Sequence, residues 1–234
     1  NKRLYTNEKQ QSRKLVVKNN YIYIDSYKQD TVTVIQKIKG LAESGVENYT
    51  NTVNHWLQTT DYQIDSDEKK TALINMFANS HVALIYGSAG TGKSTLINHI
   101  SHFFNNYSKL YLAHTNPAVN NLKRKVAASM DCEFMTITKF NNKYAENIKR
   151  DYDILIVDEC STVSNKNMKE LLELADFKLL VLVGDTYQIE AIEFGNWFDA
   201  VRSFLPKTAV YELTTPYRSE SRQLLELWNN VRKM

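Results

Sequence analysis

The sequence predicts an α/β fold in which a mainly parallel sheet is flanked by helices. Six short apolar runs alternate with stretches of helical periodicity, and each run is almost continuously apolar, as strands buried on both faces of a parallel sheet are. The runs occupy residues 81–86, 109–113, 133–137, 153–157, 179–183 and 208–213. A chain of 234 residues with 43% hydrophobic residues can form one such domain and a small additional module.

The first 60 residues have a different pattern and predict a small α+β extension. Residues 15–24 predict a hairpin, because apolar β-formers flank Asn19 and Asn20, which tolerate turn geometry. Apolar residues at steps of three to four then indicate helices with one buried face. We therefore expect an N-terminal extension at residues 1–60 and the sheet-containing domain at residues 61–234.

Composition argues against several classes of protein. Cys132 and Cys160 are far apart, and the five histidines show no ligand spacing beside them, so neither a zinc site nor a disulfide framework is indicated. No run approaches about 18 apolar residues, so we expect no membrane span and no membrane partner. The expected location is the cytoplasm, a reducing compartment.

The first motif follows the apolar run at residues 81–86. Residues 87–94, GSAGTGKS, match the pattern GxxxxGK[ST]. They lie between a predicted strand and a predicted helix, and this context disfavours the alternative, a glycine-rich turn with an unrelated lysine. The loop amides and the helix N-terminus favour phosphate, Lys93 is expected to reach the β- and γ-phosphates, and Ser94 to ligate Mg²⁺. The residues predicted to bind ATP are Gly87, Gly90, Thr91, Gly92, Lys93, Ser94 and Thr95.

The second motif is a pair of adjacent carboxylates, Asp158 and Glu159, at the end of the run at residues 153–157. Open α/β sheets bind their ligands at this edge. Asp158 is expected to hold Mg²⁺ and its hydration shell, and Glu159 to orient or deprotonate the water that attacks the γ-phosphate. Such a pair alone is as often a solvated turn, but downstream of a phosphate-binding loop it indicates nucleotide hydrolysis.

Two further motifs complete an ordered set. Residues 184–198 are GDTYQIEAIEFGNWF, and residues 214–219 are TTPYRS. Together with GSAGTGKS and VDECS, in this order and spacing, they resemble the first RecA-like P-loop ATPase domain of superfamily I DNA helicases, especially the RecD-like branch. The resemblance covers roughly residues 63–234. It implies that ATP hydrolysis is coupled to translocation on single-stranded DNA, or RNA, and to unwinding.

The resemblance assigns further roles by matching position. It implies that Gln188 senses the γ-phosphate, with Asp185 supporting its turn, and that Arg218 stabilises charge on that phosphate. The predicted catalytic residues are thus Lys93, Glu159, Gln188 and Arg218. An ordinary turn residue and a lone surface arginine are the alternatives for Gln188 and Arg218.

The resemblance also indicates where nucleic acid binds. Residues 115–117 and 136–140 resemble segments that face single-stranded DNA, with a plain helix cap and a plain strand as the alternatives. Asn116, followed by Pro117, is predicted to cap a helix. The aromatic residues at 194, 197 and 198 could stack on bases or belong to the core.

The sequence departs from the helicase pattern in two respects. Lys69 stands where these helicases place a glutamine that reads adenine, so adenine preference does not follow. The chain also ends 16 residues after Arg218, so the second RecA-like domain of such a motor is expected to be missing from it. A P-loop switch or kinase that does not act on nucleic acid is the alternative function, but it leaves Gln188 and Arg218 unexplained. A binding module with a vestigial NTPase is disfavoured by the intact phosphate-binding loop.

Overall fold

The computed structural model describes residues 14–126, 131–144, 151–185 and 195–215. The predicted N-terminal hairpin is present: β1 (Leu15–Lys18) pairs antiparallel with β2 (Tyr21–Ile24). Asn19 and Asn20 between them have φ values of 50° and 63°. Positive φ at both central residues is what a tight two-residue hairpin turn requires, and asparagine tolerates it.

The centre of the molecule is a six-stranded sheet in the order β5-β4-β6-β7-β3-β8, and its strands pair in parallel throughout. Each of the six predicted apolar runs forms one of these strands. They are β3 (Val82–Gly87), β4 (Lys109–Ala113), β5 (Cys132–Thr136), β6 (Asp151–Val157), β7 (Asp176–Gly184) and β8 (Val210–Leu213). The predicted α/β fold is therefore confirmed, and all described pairings of this sheet are parallel.

Helices connect the strands and cover both faces of the sheet. They are α1 (Asp25–Leu41), α2 (Tyr49–Thr59), α3 (Asp67–Asn75), α4 (Lys93–Phe103), α5 (Asn116–Lys125), α6 (Ile137–Tyr144), α7 (Asn165–Leu174) and α8 (Trp197–Val201). Among the described residues, none of the helices combines the length and apolar character needed to cross a lipid bilayer.

The start of α5 corrects one local prediction. Thr115, rather than Asn116, caps this helix: its backbone is extended, and its hydroxyl accepts a hydrogen bond from the Ala118 N–H at 3.3 Å. Asn116 and Pro117 occupy the first two helical positions instead. The error of one residue arises because threonine and asparagine are both good caps, and only the backbone conformation decides between them.

Strand β3 divides the core into two layers, because alternate residues point to opposite faces. Leu84 packs in the layer that contains α1, whereas Ile85 packs in the layer that contains α2. Val34 of α1 and Val53 of α2 are both fully buried in these layers. The two helices before residue 60 thus cover opposite faces of the same sheet, and a domain boundary near residue 60 stays a prediction.

Two of the three aromatic residues considered for base stacking belong to the core. Trp197 is fully buried, and its indole N–H donates to the Val163 carbonyl at 2.8 Å. Phe198 is 3% exposed and packs against the ring of Tyr86 with centroids 4.7 Å apart. Phe194 lies outside the described residues.

Candidate functional site

The loop between β3 and α4 has the conformation that its glycines permit. Gly90 and Gly92 have φ values of 89° and 85°, in the left-handed region that favours glycine. The N–H and hydroxyl of Thr91 both donate to the Ser88 carbonyl, at 3.3 and 2.9 Å, and close the turn. A Cβ atom on Gly87 would lie 2.4 Å from the Thr91 hydroxyl oxygen, so the loop is too tight there for a side chain.

Lys93 is the first residue of α4, and its ammonium group folds back over this loop. The Nζ atom donates hydrogen bonds to the carbonyl oxygens of Gly87 and Ser88, the second at 2.9 Å. The ammonium group is thereby held beside the loop amides and the N-terminus of α4. All three attract an anion such as a phosphate.

The two carboxylates lie at the end of β6. The N–H of Asp158 donates to the Leu112 carbonyl of β4 at 2.9 Å, and its Oδ1 accepts from the Glu159 N–H at 2.9 Å. Glu159 has φ 56° and ψ 38°, a left-handed conformation that costs a non-glycine residue on the order of 1 kcal/mol or more. Thr162 holds it there by donating both its N–H and its hydroxyl to the Glu159 carbonyl.

Loop, carboxylates and neighbouring elements enclose a cavity of about 370 Å³, a volume typical of small-ligand sites. Of the predicted residues, those lining it are Gly90, Gly92, Lys93, Ser94, Thr95, Asp158 and Glu159. Gly87 and Thr91 instead shape the loop from behind. The structure therefore brings the two motifs, 65 positions apart in sequence, to one cavity.

Burial disfavours the charged forms of the two carboxylates in the cavity. Burial raises the pKa of Asp158, against the opposing effects of the Glu159 N–H, Lys93 and Lys125. Burial and the negative charge of Asp158 likewise raise the pKa of Glu159, and Lys93 opposes this. The raised pKa of Glu159 makes it a stronger base than a solvated glutamate, as a group that accepts a proton from water needs to be.

Two other residues discussed from the sequence, Cys160 and Lys69, are buried. Cys160 is fully buried, and burial raises the pKa of its thiol well above the usual value, so this cysteine is an inert core residue. Lys69 does not line the cavity: it is fully buried, and its ammonium group donates to Asp65.

The segments expected to face nucleic acid lie at the same edge of the sheet as the cavity. Ala113 and Thr136 are paired across β4 and β5, so residues 115–117 and the start of α6 follow neighbouring strand ends. Thr115, Asn116 and Lys139 are exposed there, whereas Phe140 is buried in the core. The exposed members of these segments are Thr115, Asn116, Pro117, Thr138 and Lys139, and these are available to a ligand.

Five cavity-lining residues were not among the predicted binding residues, and one of them, Ala89, belongs to the phosphate-binding loop itself. Gly184 is the last residue of the inner strand β7, and Asp185, which follows it, is 4% exposed. Asn121 and Lys125 come from α5. Their spacing of four residues places them on one helix face, but no motif in the sequence marks that face. Gln188 and Arg218, the other two predicted catalytic residues, lie outside the described residues.

The strand, loop and helix at residues 82–103, set against Asp158 and Glu159 on a parallel sheet, have the architecture of a P-loop nucleoside triphosphatase. Residues 65–233 match the family described as AAA domain (AAA_30). The match covers most of the chain, and the chain belongs to this family.

Curated relatives are much longer proteins. An uncharacterised protein of Methanocaldococcus jannaschii is 28% identical over 193 residues, which cover 71% of this chain and 16% of the relative. A probable conjugal transfer protein TraA of Sinorhizobium fredii is 28% identical over 167 residues, which cover 69% of this chain and 14% of the relative. The chain spans less than one sixth of the length of these relatives.

Solved helicase structures share the fold. Pif1 helicase, in a structure of two coordinating Pif1 helicases at forked dsDNA, superposes with a TM-score of 0.52 at 15% identity, covering 73% of this chain and 48% of that chain. Pif1 of Bacteroides in complex with ADP-AlF3 and ssDNA superposes with a TM-score of 0.51 at 16% identity, covering 74% of this chain and 47% of that chain. The chain spans about half the length of these helicase chains. The resemblance to helicases that the sequence predicts extends to the fold, and the predicted RecA-like P-loop fold is confirmed.

Proposed function

We propose that this helicase-like domain binds and hydrolyses ATP as the first motor domain of a superfamily I DNA helicase. The observation that carries the proposal is the single cavity in which the Lys93 ammonium group and the carboxylates of Asp158 and Glu159 meet. A glycine-rich loop with a lysine binds phosphates, and a carboxylate pair opposite it supplies metal binding and water activation.

Each described side chain then has a distinct role. The loop amides and Lys93 hold the β- and γ-phosphates, and Glu159 orients the attacking water or accepts its proton. The hydroxyl of Ser94 and the carboxylate of Asp158 suit Mg²⁺, which prefers oxygen ligands, and Asp158 is a largely buried acid that a cation would stabilise. When bound, Mg²⁺ neutralises charge on the phosphate oxygens. Gln188 and Arg218 are proposed as γ-phosphate sensor and charge stabiliser.

Single-stranded DNA, or RNA, is the proposed macromolecular ligand. The exposed polar residues Thr115 and Asn116 follow β4, the neighbour of β6, which carries the carboxylates; the exposed Lys139 follows β5, on the other side of β4. Hydroxyl, amide and ammonium groups of this kind contact the phosphate backbone without reading sequence. The Bacteroides Pif1 structure, which shares the fold, contains ssDNA. Cytoplasmic location stays a prediction.

A second RecA-like domain is the proposed partner of this one. Stabilisation of the γ-phosphate by a positioned arginine is worth on the order of 10³ to 10⁵ in rate in related phosphoryl transfers. Movement along a strand also needs two gripping domains that open and close with the nucleotide cycle. We therefore expect residues 1–234 alone to bind nucleotide weakly, hydrolyse it slowly and unwind nothing.

The deciding experiment measures steady-state ATPase activity of a protein that carries this chain together with a second RecA-like domain. Single-stranded DNA is expected to stimulate hydrolysis, and Gln188→Ala to retain binding of ATP and of DNA while losing much of the stimulation. Hydrolysis that does not respond to DNA or RNA would favour the nucleotide switch or kinase instead.

A further inference from the structure

We propose that Lys125, positioned on α5 with Asn121, is a second cation of the phosphate site and binds the γ-phosphate end of the nucleotide. This inference rests on the proposed function, because it assumes that the cavity accepts a nucleoside triphosphate. It assigns to α5 a binding role that neither the phosphate-binding loop nor the carboxylate motif includes.

The geometry of α5 places these two side chains in the cavity. Asn121 and Lys125 are one helical turn apart and both line the cavity that Lys93, Asp158 and Glu159 line. Leu122 on the same helix is 1% exposed and belongs to the core layer beneath the sheet. The buried residues fix the orientation of the helix, and Asn121 and Lys125, which lie beside this buried face, are presented to the site.

The charges around the cavity explain why a second cation is needed. Among the described residues, the charged side chains that line it are Lys93, Lys125, Asp158, Glu159 and Asp185. Without Lys125, one ammonium group would face three carboxylates, and a triphosphate would add further negative charge. The Lys93 ammonium group already donates to two carbonyl oxygens of its own loop. Lys125 therefore supplies cationic charge that the loop lysine alone does not.

The position of Lys125 also indicates which phosphate it binds, namely the γ-phosphate. Lys125 lines the same cavity as Glu159, the carboxylate that the proposed function places beside the water that attacks the γ-phosphate. The β-phosphate is instead served by the loop amides and the N-terminus of α4. A charge near the γ-phosphate stabilises a triphosphate more than a diphosphate, so Lys125 contributes to their discrimination.

The test compares nucleotide affinities of charge-removing variants in the 234-residue chain. Isothermal titration with ADP and with a non-hydrolysable ATP analogue, both with Mg²⁺, is carried out on the unmodified chain and on Lys125→Gln, Lys125→Arg and Lys123→Gln. Lys123 is the matched control, since it is an exposed lysine of the same helix that does not line the cavity.

We expect Lys125→Gln to weaken binding of the ATP analogue about tenfold, as loss of one charge-assisted hydrogen bond does, and to change ADP binding less than about twofold. Lys125→Arg should restore most of the affinity, and Lys123→Gln should leave both affinities unchanged. Equal losses for both nucleotides, no loss, or the same loss in Lys123→Gln would overturn the assignment. If the unmodified chain binds neither nucleotide, the proposed function fails; if it binds both and only the Lys125 effect is absent, this inference alone fails.

Discussion

The ammonium group of Lys69 is fully buried and paired with the carboxylate of Asp65 one helical turn earlier. The other oxygen of Asp65 lies 2.7 Å from Nε2 of His99 on α4, and Nδ1 of His99 lies 2.8 Å from the Tyr62 hydroxyl. This network ties α3 to the helix that follows the phosphate-binding loop. The helicase resemblance places an adenine-reading glutamine at position 69. Lys69 instead forms a buried ion pair there.

Loss of the Asp65 carboxylate should destabilise the fold. Asp65→Ala removes the Asp65 carboxylate from beside the buried Lys69 ammonium group, and removing one member of a buried ion pair costs about 3–5 kcal/mol. Because the Asp65 side chain is 40% exposed, water can partly replace it, and we expect a loss of about 2 kcal/mol. Urea unfolding measures this free energy. Asp67→Ala, in the exposed first turn of the same helix, is the control; equal losses in both variants would show that the pair contributes nothing specific.

Acidification should weaken the fold through the same network. Burial lowers the pKa of His99, and the opposing effect of Asp65 does not restore it. Burial alone would raise the pKa of Asp65, but the hydrogen bonds from Lys69 and His99 outweigh it and lower that pKa. Both groups bind protons more tightly in the unfolded chain, so the free energy of unfolding falls as pH falls: for His99 from about 6.5 downward, and for Asp65 from about 4 downward.

Urea unfolding at pH values from 7.5 to about 5 tests the His99 contribution, since Asp65 stays ionised over most of that window. His99→Gln should unfold more easily at pH 7.5 but show a flatter dependence on pH than the unmodified chain. A dependence as steep in His99→Gln as in the unmodified chain would assign the effect to other groups.

Replacing the proposed base should separate nucleotide binding from hydrolysis. In a protein with both RecA-like domains, Glu159→Gln keeps the shape of the side chain and loses its basicity, so turnover should fall on the order of a hundredfold or more while ATP affinity is retained. Steady-state hydrolysis and calorimetry measure the two quantities. A variant that no longer binds ATP would reassign Glu159 to holding the metal.

The elements that local patterns determine were predictable from the sequence. The six apolar runs became strands because their residues are apolar on both faces, and residues 87–94 formed a tight loop because Gly90 and Gly92 adopt positive φ. Asp158 and Glu159 could be placed at the sheet edge because they directly follow a strand. Each of these predictions needed only neighbouring residues.

What the sequence did not reveal depends on contacts between distant segments. The packing of α1 and α2 on opposite faces follows from the three-dimensional course of the chain, and a helical period shows only that one face of each is buried. Lys125 is one of three consecutive basic residues at 123–125, and only the direction of α5 singles it out. The ion pair between Lys69 and Asp65 could have been suspected from their spacing of four residues. The burial of the Lys69 side chain could not have been predicted in this way.

The measurement that tests the central claim most directly is calorimetric titration of Mg·ATP into the 234-residue chain and into its Lys93→Ala variant. The unmodified chain should bind one equivalent, and the variant should show no measurable binding, because it loses the main positive charge of the phosphate-binding loop. Ser44→Ala, at an exposed position away from the cavity, is the control and should bind as the unmodified chain does. Equal affinity in Lys93→Ala and the unmodified chain would show that this loop is not the nucleotide site.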